Sequence, residues 1–321
     1  MTPHFADKPA RERLTRLTAG MRLPVVAAPM FLVSGPELAL ASMKAGIMGS
    51  FPFPNARTLD DLDHWLSIVT QTRADWLEAD PTAHIGPFAA NMVAHRSYDR
   101  LAAELKLVEK YQPPVVITAL GSPGAVTDVV HAYGGLVFAD VNSVPYAQKA
   151  LAAGADGLVL VAAGAGGHTG AMSAFAFVTA VRAFFDGPVI LGGSISTGEA
   201  VRAAEVLGAD LAYIGTGLIA AEESMAGDDY KSMLLAAEFE DLVLTNALSG
   251  AEAYYLRASL ERMGLDPDNP GRKDGPDFAN SQRKIKHPTI PQRPANPRQL
   301  PKPVYAEAGL AKILESVPSP A

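Results

Sequence analysis

Short, continuous apolar runs recur along the first two thirds of the chain, separated by longer stretches with helical periodicity. Eight of them lie at residues 24–29, 46–51, 86–92, 114–119, 135–141, 157–163, 188–193 and 211–217. Runs that are apolar throughout, rather than alternating, are typical of strands covered on both faces, as in a parallel sheet. Eight such strands predict an α/β fold, the (β/α)8 barrel of the TIM type. A doubly wound open sheet is the alternative architecture.

Three of the joins between helix and strand share one pattern. Residues 41–50, 149–161 and 203–217 each place an alanine-rich amphipathic helix before a glycine and a buried strand. Glycine suits the left-handed residue that ends many helices, so each helix is predicted to stop there and the strand to follow after a very short turn. Ser34 and Thr197 are suitably placed to cap the helices that follow them. The repetition indicates successive β/α units.

The character of the chain changes after the eighth run, which indicates three regions. Residues 1–224 are predicted to form the barrel. Residues 225–265 are predicted to form a helical subdomain covering the barrel mouth beside the active site, with a helical tract from about Asp229 to Glu240. Residues 266–321 are rich in proline and lack a hydrophobic period. We interpret them as a tail that returns to the barrel, either as an ordered cover or loosely held.

The composition and charge of the chain exclude several classes of partner and of chemical site. The formal net charge of -7 gives no overall field for nucleic acid, and no segment is long and apolar enough to predict a membrane span. The first twenty residues lack the apolar stretch of a secretory signal, so we expect a cytoplasmic protein. The sequence contains no cysteine, which excludes disulfides, thiolate metal sites, iron–sulfur clusters and a cysteine nucleophile. Redox chemistry would therefore need a cofactor, and no His/Asp/Glu spacing predicts a metal site.

The loop after the sixth run is the strongest candidate for chemistry. It reads AGAGGHTG at 163–170, and its candidate residues are Ala165, Gly166, Gly167 and His168. In a parallel barrel the catalytic groups lie on the loops that follow the strands. Glycines let a backbone approach a planar ligand closely, and a neutral imidazole accepts a proton near neutral pH. The alternative is a turn whose histidine caps a helix.

Glycine pairs also follow the last two runs. The seventh run ends in Gly192, Gly193 and Ser194, and the eighth ends in Gly215 and Thr216. In barrels these two loops commonly bind phosphate through backbone N–H groups and a helix N-terminus. The sequence contains no P-loop and no G-x-G-x-x-G that opens a first β/α unit, which disfavours nucleoside triphosphates and Rossmann-bound NAD. The pairs therefore favour a phosphate site, with tight turns as the alternative.

Two other strand ends carry weaker signals. Ala28, Pro29 and Met30 follow the first run, and Asn91 lies near the end of the third. A short apolar edge and a carboxamide are suited to line an isoalloxazine ring and to bond its polar rim. Taken alone, each feature is more often part of a core or a turn.

Together these segments resemble one known family. AAPM at 27–30, the strand with Asn91, AGGHTG at 165–170, LGGSIS at 191–196 and GTG at 215–217 occur in the order and spacing of the nitronate monooxygenases, also called 2-nitropropane dioxygenases. The resemblance extends from about Pro24 to Gly264. AGGHTG followed by the two glycine loops is its most specific part, and residues 245–265 are similar to the family's helical segment.

The resemblance implies an FMN-dependent oxidoreductase that uses dioxygen to convert alkyl nitronates or nitroalkanes to a carbonyl compound and nitrite. It implies that His168 is the catalytic residue, which removes an α-proton from a nitroalkane or positions its nitronate. The implied phosphate contacts are Gly192, Gly193, Ser194, Gly215 and Thr216, and the implied ring contacts are Ala28 to Met30, Asn91, Gly166 and Gly167. The expected partners are small molecules, and a homodimer is the assembly to test.

Two other functions stay open at this point. Relatives of similar architecture include NADH:quinone reductases and FMN-dependent enoyl-thioester reductases, so NAD(P)H in place of dioxygen is an alternative redox partner. A barrel that binds a phosphorylated metabolite for non-redox chemistry, or serves only as a binding module, is the third hypothesis.

Asp140 departs from the family pattern. Several relatives carry a lysine at the end of the fifth strand near the flavin, where this chain reads Ala139-Asp140-Val141-Asn142. A carboxylate about 4 Å from an anionic reduced flavin would cost on the order of 4 kcal/mol at an effective dielectric of about 20. Asp140 is therefore expected to turn away, to pair with a cation, or to mark a different reaction. A structural aspartate that caps the following turn is the remaining interpretation.

Overall fold

The computed structural model describes Phe5 and residues 8–273, so most of the predicted tail, from residue 274 onward, lies outside the described residues. Over this range the strands, in chain order, are β1 (Val25–Ala27), β2 (Gly49–Pro52), β3 (Phe88–Val93), β4 (Val115–Ala119), β5 (Leu136–Val141), β6 (Gly157–Val161), β7 (Gly167–His168), β8 (Val189–Gly192), β9 (Leu211–Ile214), β10 (Leu242–Thr245) and β11 (Ala253–Leu256).

The helices follow the strands in the order that a β/α repeat requires. In chain order they are α1 (Lys8–Thr18), α2 (Pro36–Lys44), α3 (Leu59–Ala79), α4 (Leu101–Tyr111), α5 (Thr127–Ala132), α6 (Val144–Ala152), α7 (Ala174–Arg182), α8 (Gly198–Leu207), α9 (Thr216–Ile219), α10 (Asp228–Ala236) and α11 (Arg257–Arg262). None of these described helices combines the length and the apolarity needed to cross a bilayer.

Eight parallel strands form the predicted barrel. Their order is β1-β9-β8-β6-β5-β4-β3-β2, and every neighbouring pair is parallel. A parallel bridge between Val26 and Met48 joins the two ends of this sheet. The N–H of Ala27 donates to Met48 O at 2.8 Å, and the N–H of Met48 donates to Val25 O at 3.0 Å. The sheet is therefore closed, which confirms the barrel and excludes the open doubly wound alternative.

Alternate residues of the barrel strands fill the interior. Successive side chains of a strand point to opposite faces, so each strand sends every second residue inward. The interior cluster also contains Ala10 and Leu14 of α1, which close its amino-terminal end. Its other members are Met48, which precedes β2, and the strand residues Val26, Ala89, Val115, Ile117, Leu136, Phe138, Val159, Ile190 and Leu211. The carboxyl-terminal end of the barrel interior is lined by residues outside this cluster.

The repeated helix–glycine–strand joins adopt the predicted geometry. Gly46, Gly154 and Gly208 have φ values of 87°, 93° and 108°, in the left-handed region that favours glycine. In the second and third joins, an aspartate two residues after the glycine ties the amino-terminal ends of two strands together. Asp156 accepts from Val137 N at 2.7 Å, and Asp210 accepts from Val189 N at 2.8 Å. The glycine–aspartate pattern that these two joins share thus reflects the same contact between neighbouring strands.

Each of these aspartates also binds an arginine. Arg13 of α1 contacts the Asp156 carboxylate at 2.7 Å, and His131 lies 2.8 Å from its other oxygen. Asp210 binds Arg182 at 2.8 Å and Arg11 of α1 at 3.0 Å. Because α1 supplies an arginine to both carboxylates, these ion pairs hold it against the amino-terminal end of the barrel.

The chain after β9 differs from the helical subdomain expected for residues 225–265. It contains α10 and α11, but β10 and β11 form an antiparallel hairpin between them. β11 also pairs with β7, in the loop after β6, so the three strands form a second small sheet in the order β10-β11-β7. The helical interpretation missed this hairpin because its partner, β7, lies about 85 residues earlier in the chain.

We predict that Asp156→Asn lowers the free energy of unfolding by about 2 kcal/mol, because the charged acceptor for Arg13 and His131 is lost from a buried position. Urea denaturation at pH 7 measures the change. Asp128→Asn, at an exposed position of α5, is the matched control and should leave the stability unchanged. Equal stability of the Asp156 variant and the parent would contradict a role for this contact.

Candidate functional site

Closure of the barrel brings most of the candidate loops side by side. β1, β9, β8 and β6 are consecutive neighbours in the sheet, so the loops that follow them share one side of the mouth. These four loops carry all the candidate residues except two. Asn91 and Asp140 lie on β3 and β5, in the wall of the barrel.

The loop after β6 packs directly against the loops after β8 and β9. The N–H of Ser194 donates to Gly164 O at 3.1 Å, and Ser194 itself has a φ of 55°. A Cβ added to Gly164 would collide with the Ser194 hydroxyl, and one added to Gly166 would collide with the hydroxyl of Thr216. The glycines at 164 and 166 are therefore required by close approach of three loops.

The remaining small residues complete this surface. Gly192 is the last residue of β8, and Gly193 follows with a φ of 135°. Ala165 donates its N–H to Ala162 O at 3.2 Å, which holds the turn before β7. A Cβ added to Gly167 would meet no atom within 4 Å, so this glycine borders open space. The surface therefore offers backbone rather than side chains to a ligand.

The first loop reaches the last one. A Cβ added to Gly215 would lie 3.3 Å from the sulfur of Met30 and 3.4 Å from the Cβ of Ala28. Pro29 lies between these two residues in the same turn. Asn55, buried and beyond β2, fixes the turn because its Nδ2 donates to Met30 O at 2.9 Å. Asn55 was not among the predicted residues, because its partner lies 25 residues away in the chain.

His168 lies on β7, where pairing with β11 holds it. His168 is opposite Ala253 in the antiparallel ladder, and the N–H of Thr169 donates to Glu252 O at 3.1 Å. The imidazole Nε2 lies 3.3 Å from the hydroxyl of Ser249. Although His168 keeps surface open to the mouth, the protein atoms packed around the ring lower its pKa below the ordinary value. The imidazole is therefore neutral at pH 7.

Ser249 determines which nitrogen of His168 is available. A hydroxyl has one hydrogen, and that of Ser249 is donated to Ala251 O at 3.0 Å. With this hydrogen on Ala251 O, the hydroxyl can accept from His168, and we infer that Nε2 carries the imidazole hydrogen. Nδ1 then holds the lone pair and is the nitrogen able to take up a proton. Ser249 was not among the candidates, because nothing in the sequence links it to a histidine 81 residues earlier.

Asn91 and Asp140 lie deeper than the loops. Asn91 is buried on β3, and its Nδ2 donates to Ile117 O at 3.2 Å. Asp140 is half-buried near the carboxyl end of β5, and its Oδ1 has no hydrogen-bond partner among the described residues. Burial raises the pKa of Asp140 to about 7. No cation among the described groups is paired with its carboxylate, so the expected pairing with a cation is not seen.

Tyr213 connects Asp140 to the glycine loops. It lies on β9, and its hydroxyl is buried without a partner within the described part of the chain. Burial raises the pKa of Tyr213, and the charge of nearby Asp140 raises it further. A Cβ added to Gly192 would lie 3.3 Å from the Cβ and Cδ1 of Tyr213, so the ring packs against the end of β8. Tyr213 was not among the residues that the sequence singled out.

Comparison with known proteins agrees with this architecture. A sequence model of the nitronate monooxygenase family matches residues 11–268. A nitronate monooxygenase of Pseudomonas aeruginosa is 28% identical over 304 residues, covering 83% of this chain and 85% of that protein. A nitronate monooxygenase of Paraburkholderia phytofirmans is 27% identical over 291 residues and covers 78% of each.

Other relatives carry different names. The (3aS,4S,5R,7aS)-5-hydroxy-7a-methyl-1-oxo-octahydro-1H-indene-4-carboxyl-CoA dehydrogenase of Rhodococcus jostii is 27% identical over 250 residues, covering 78% of this chain and 67% of that protein.

Solved structures share the fold at low identity. A nitroalkane oxidase from Streptomyces ansochromogenes superposes with a TM-score of 0.71 at 23% identity, covering 95% of this chain and 98% of that one. FabK from Thermotoga maritima gives a TM-score of 0.69 at 24% identity and covers 95% of each chain. These likenesses support the barrel alone. The family match, in contrast, extends over most of the sequence, and on that ground this chain belongs to the nitronate monooxygenase family of oxidoreductases.

Proposed function

We propose that this protein is an FMN-dependent nitronate monooxygenase in which His168 is the catalytic base. The observation that carries the proposal is the position of the imidazole. Its Nε2 is committed to Ser249, and its Nδ1 is free to take a proton beside a surface formed by glycine backbone. An accessible neutral base next to such a surface suits removal of a proton from a small carbon acid.

The glycine loops fit a phosphorylated planar cofactor. Glycines at 192, 193 and 215 lie at the ends of β8 and β9, where backbone N–H groups can bind phosphate. Together with Thr216 they are the proposed phosphate contacts. Ser194 fits less well than expected, because its N–H already donates to Gly164 O and so holds the loop.

The proposed ring surface lies between the first loop and β7. Ala28, Pro29 and Met30 present an apolar edge against Gly215, and Gly166 and Gly167 lie across from it on the loop after β6. Ala165, in the turn before β7, and Asn91, on β3, are the further proposed contacts of the ring. The unpartnered polar atoms of Asp140 and Tyr213 would find hydrogen-bond partners on the polar edge of an isoalloxazine. These observations support FMN as the cofactor.

The protein's own part in the proposed reaction is proton transfer and positioning. Bound FMN would supply the redox chemistry with dioxygen, so that an alkyl nitronate gives a carbonyl compound and nitrite. His168 would take the α-proton of a neutral nitroalkane on Nδ1, or hold the nitronate by the same nitrogen once protonated. The β7–β11 pairing keeps the imidazole in place while this occurs.

A reductase is the second candidate. The Rhodococcus dehydrogenase is named for a CoA thioester and is as similar to this chain, at 27% identity, as the Paraburkholderia nitronate monooxygenase. Anaerobic mixing of the FMN-loaded protein with NADH or NADPH separates the two. Rapid bleaching of the flavin supports the reductase. Nitrite release from nitronates in air, without NAD(P)H, supports the monooxygenase, and a protein that takes up no FMN contradicts both.

We predict that His168→Asn lowers the rate of nitrite release from a neutral nitroalkane by at least about 100-fold, because general base catalysis typically contributes that much. FMN content, read from the visible spectrum, should stay at the parent level. His64→Asn, at an exposed position on α3, is the matched control. A parent-like rate in the His168 variant would exclude this residue as the base.

The activity with neutral nitroalkanes should rise with pH and then level off. The base acts only when unprotonated, and burial places the pKa of His168 below its ordinary value of about 6.5, so the plateau is expected from about pH 7 upward. Measurement of kcat/KM between pH 5 and 8 gives the profile, and an NMR titration of the imidazole gives the pKa directly. Preformed nitronates should lack this rise. A midpoint above 7 would be inconsistent with the proposed environment.

Gly166→Ala should weaken FMN binding by about tenfold. The new Cβ would collide with the hydroxyl of Thr216 and force the two loops apart, and overpacking of this kind typically costs about 1.4 kcal/mol or more. Quenching of flavin fluorescence measures the dissociation constant. Gly20→Ala is the control, since a Cβ there meets nothing within 4 Å. Unchanged affinity in the Gly166 variant would place the cofactor away from this contact.

A further inference from the structure

Asp140 and Tyr213 occupy the inward-facing rows of two barrel strands. Leu136 and Phe138 of β5 belong to the interior cluster, and the alternation of a strand places Asp140 on the same face. Leu211 of β9 is also interior, so Tyr213 follows it inward. Both residues come at the carboxyl-terminal ends of their strands. They therefore lie at the base of the mouth, beneath the loops described above.

Each residue has a polar atom that the described protein does not satisfy. The Oδ1 of Asp140 and the hydroxyl of Tyr213 are both buried, and neither has a hydrogen-bond partner in the described part of the chain. Buried polar groups are nearly always hydrogen-bonded, because an unpaired one loses its water without replacement. Two such atoms in electrostatic contact with one another mark a place where a ligand is expected to supply the partners.

The partial exposure of Asp140 shows from which end of the barrel a ligand can reach it. Residues 136–139 of β5 are buried, whereas Asp140 retains partial exposure. The amino-terminal end of the barrel is closed by α1, so this exposure comes from the mouth. A molecule seated in the mouth can therefore touch the carboxyl group.

The carboxyl group is suited to donate a hydrogen bond. Burial is what raises its pKa to about 7, and Tyr213 on β9 is the titratable group in electrostatic contact with it. Tyr213 keeps its proton throughout this range because its own pKa is raised above the ordinary value. Below pH 7, Asp140 is thus largely a neutral acid with a hydrogen to donate.

We propose that Asp140 and Tyr213 form a hydrogen-bonding floor of the barrel mouth, on which the polar edge of the FMN ring is seated, with the carboxylic acid of Asp140 donating to an acceptor atom of that edge. This inference rests on the proposed function, because the ring is that of its cofactor. It assigns Asp140 a third state beyond turning away or pairing with a cation. As a neutral acid it adds no negative charge beside an electron-rich ring.

The floor makes FMN binding sensitive to pH. When the pH rises through 7, Asp140 ionises, loses the hydrogen that it donates and repels the acceptor. One pH unit above the midpoint only about one tenth of the carboxyl groups are neutral, so the dissociation constant of FMN should increase about tenfold between pH 6 and pH 8. Asp140→Asn removes the titrating group, and its affinity for FMN should stay flat over the same range.

Flavin fluorescence titrations of the full chain at pH 6, 7 and 8 test the proposal. Riboflavin is the second probe, since it lacks the phosphate whose own ionisation changes over this range. Asp128→Asn on α5 is the matched control and should keep the parent's pH dependence. Tyr213→Phe should bind FMN more weakly at every pH while keeping that dependence. Asp140→Ser provides a second non-titrating variant, to be used if the asparagine variant does not fold.

The outcomes distinguish a failure of the proposed floor from a failure of the proposed function. FMN binding with the same pH dependence in the parent and in both Asp140 variants would overturn the floor and leave the proposed function standing. A parent protein that takes up neither FMN nor riboflavin would overturn the proposed function and the floor with it. A pH dependence that disappears in the Asp140 variants, with or without nitronate activity, supports the floor.

Discussion

Closure of the parallel barrel is the constraint on which the site depends. The bridge between Val26 and Met48 places β1 between β9 and β2, and so joins the first β/α unit to the last. Because all eight strands run in one direction, closure brings every loop that follows a strand to the same mouth. Ala28 and Met30 contact Gly215 for this reason, although almost two hundred residues separate them. The small β10-β11-β7 sheet then fixes the histidine loop above that mouth.

Carboxyl groups at the two ends of the barrel have opposite electrostatic environments. At the amino-terminal end, Asp156 and Asp210 are each held by an arginine and by a backbone N–H, so their charges are compensated within the protein. At the carboxyl-terminal end, Asp140 has no such cation among the described groups, and burial raises its pKa instead. A compensated carboxylate stabilises the fold, whereas an uncompensated one costs free energy that only a bound molecule can return. This contrast is the ground on which we propose a functional role for Asp140 and a structural one for Asp156 and Asp210.

The parts of this structure that depend on local sequence were predictable, and those that depend on distant contacts were not. The eight strands follow from continuous apolar runs, and Gly46, Gly154 and Gly208 follow from the backbone conformation that ends a helix. The hairpin was missed because β11 pairs with a two-residue strand far away in sequence, and Ser249 was missed with it. For Asp140 the sequence indicated a conflict, but only the structure shows that burial raises the pKa of its carboxyl group to about 7.

The hydrogen-bond state of His168 bears on which branch of the family chemistry this protein performs. The barrel fold alone does not decide between the proposed monooxygenase and a reductase of conjugated thioesters. Reduction of a conjugated thioester ends with proton donation to carbon, whereas oxidation of a nitroalkane begins with proton removal from carbon. In the tautomer that we infer, Ser249 accepts from Nε2–H of His168, and Nδ1 carries the lone pair. That tautomer is suited to removal of a proton, which is the first step that the proposed nitroalkane chemistry requires.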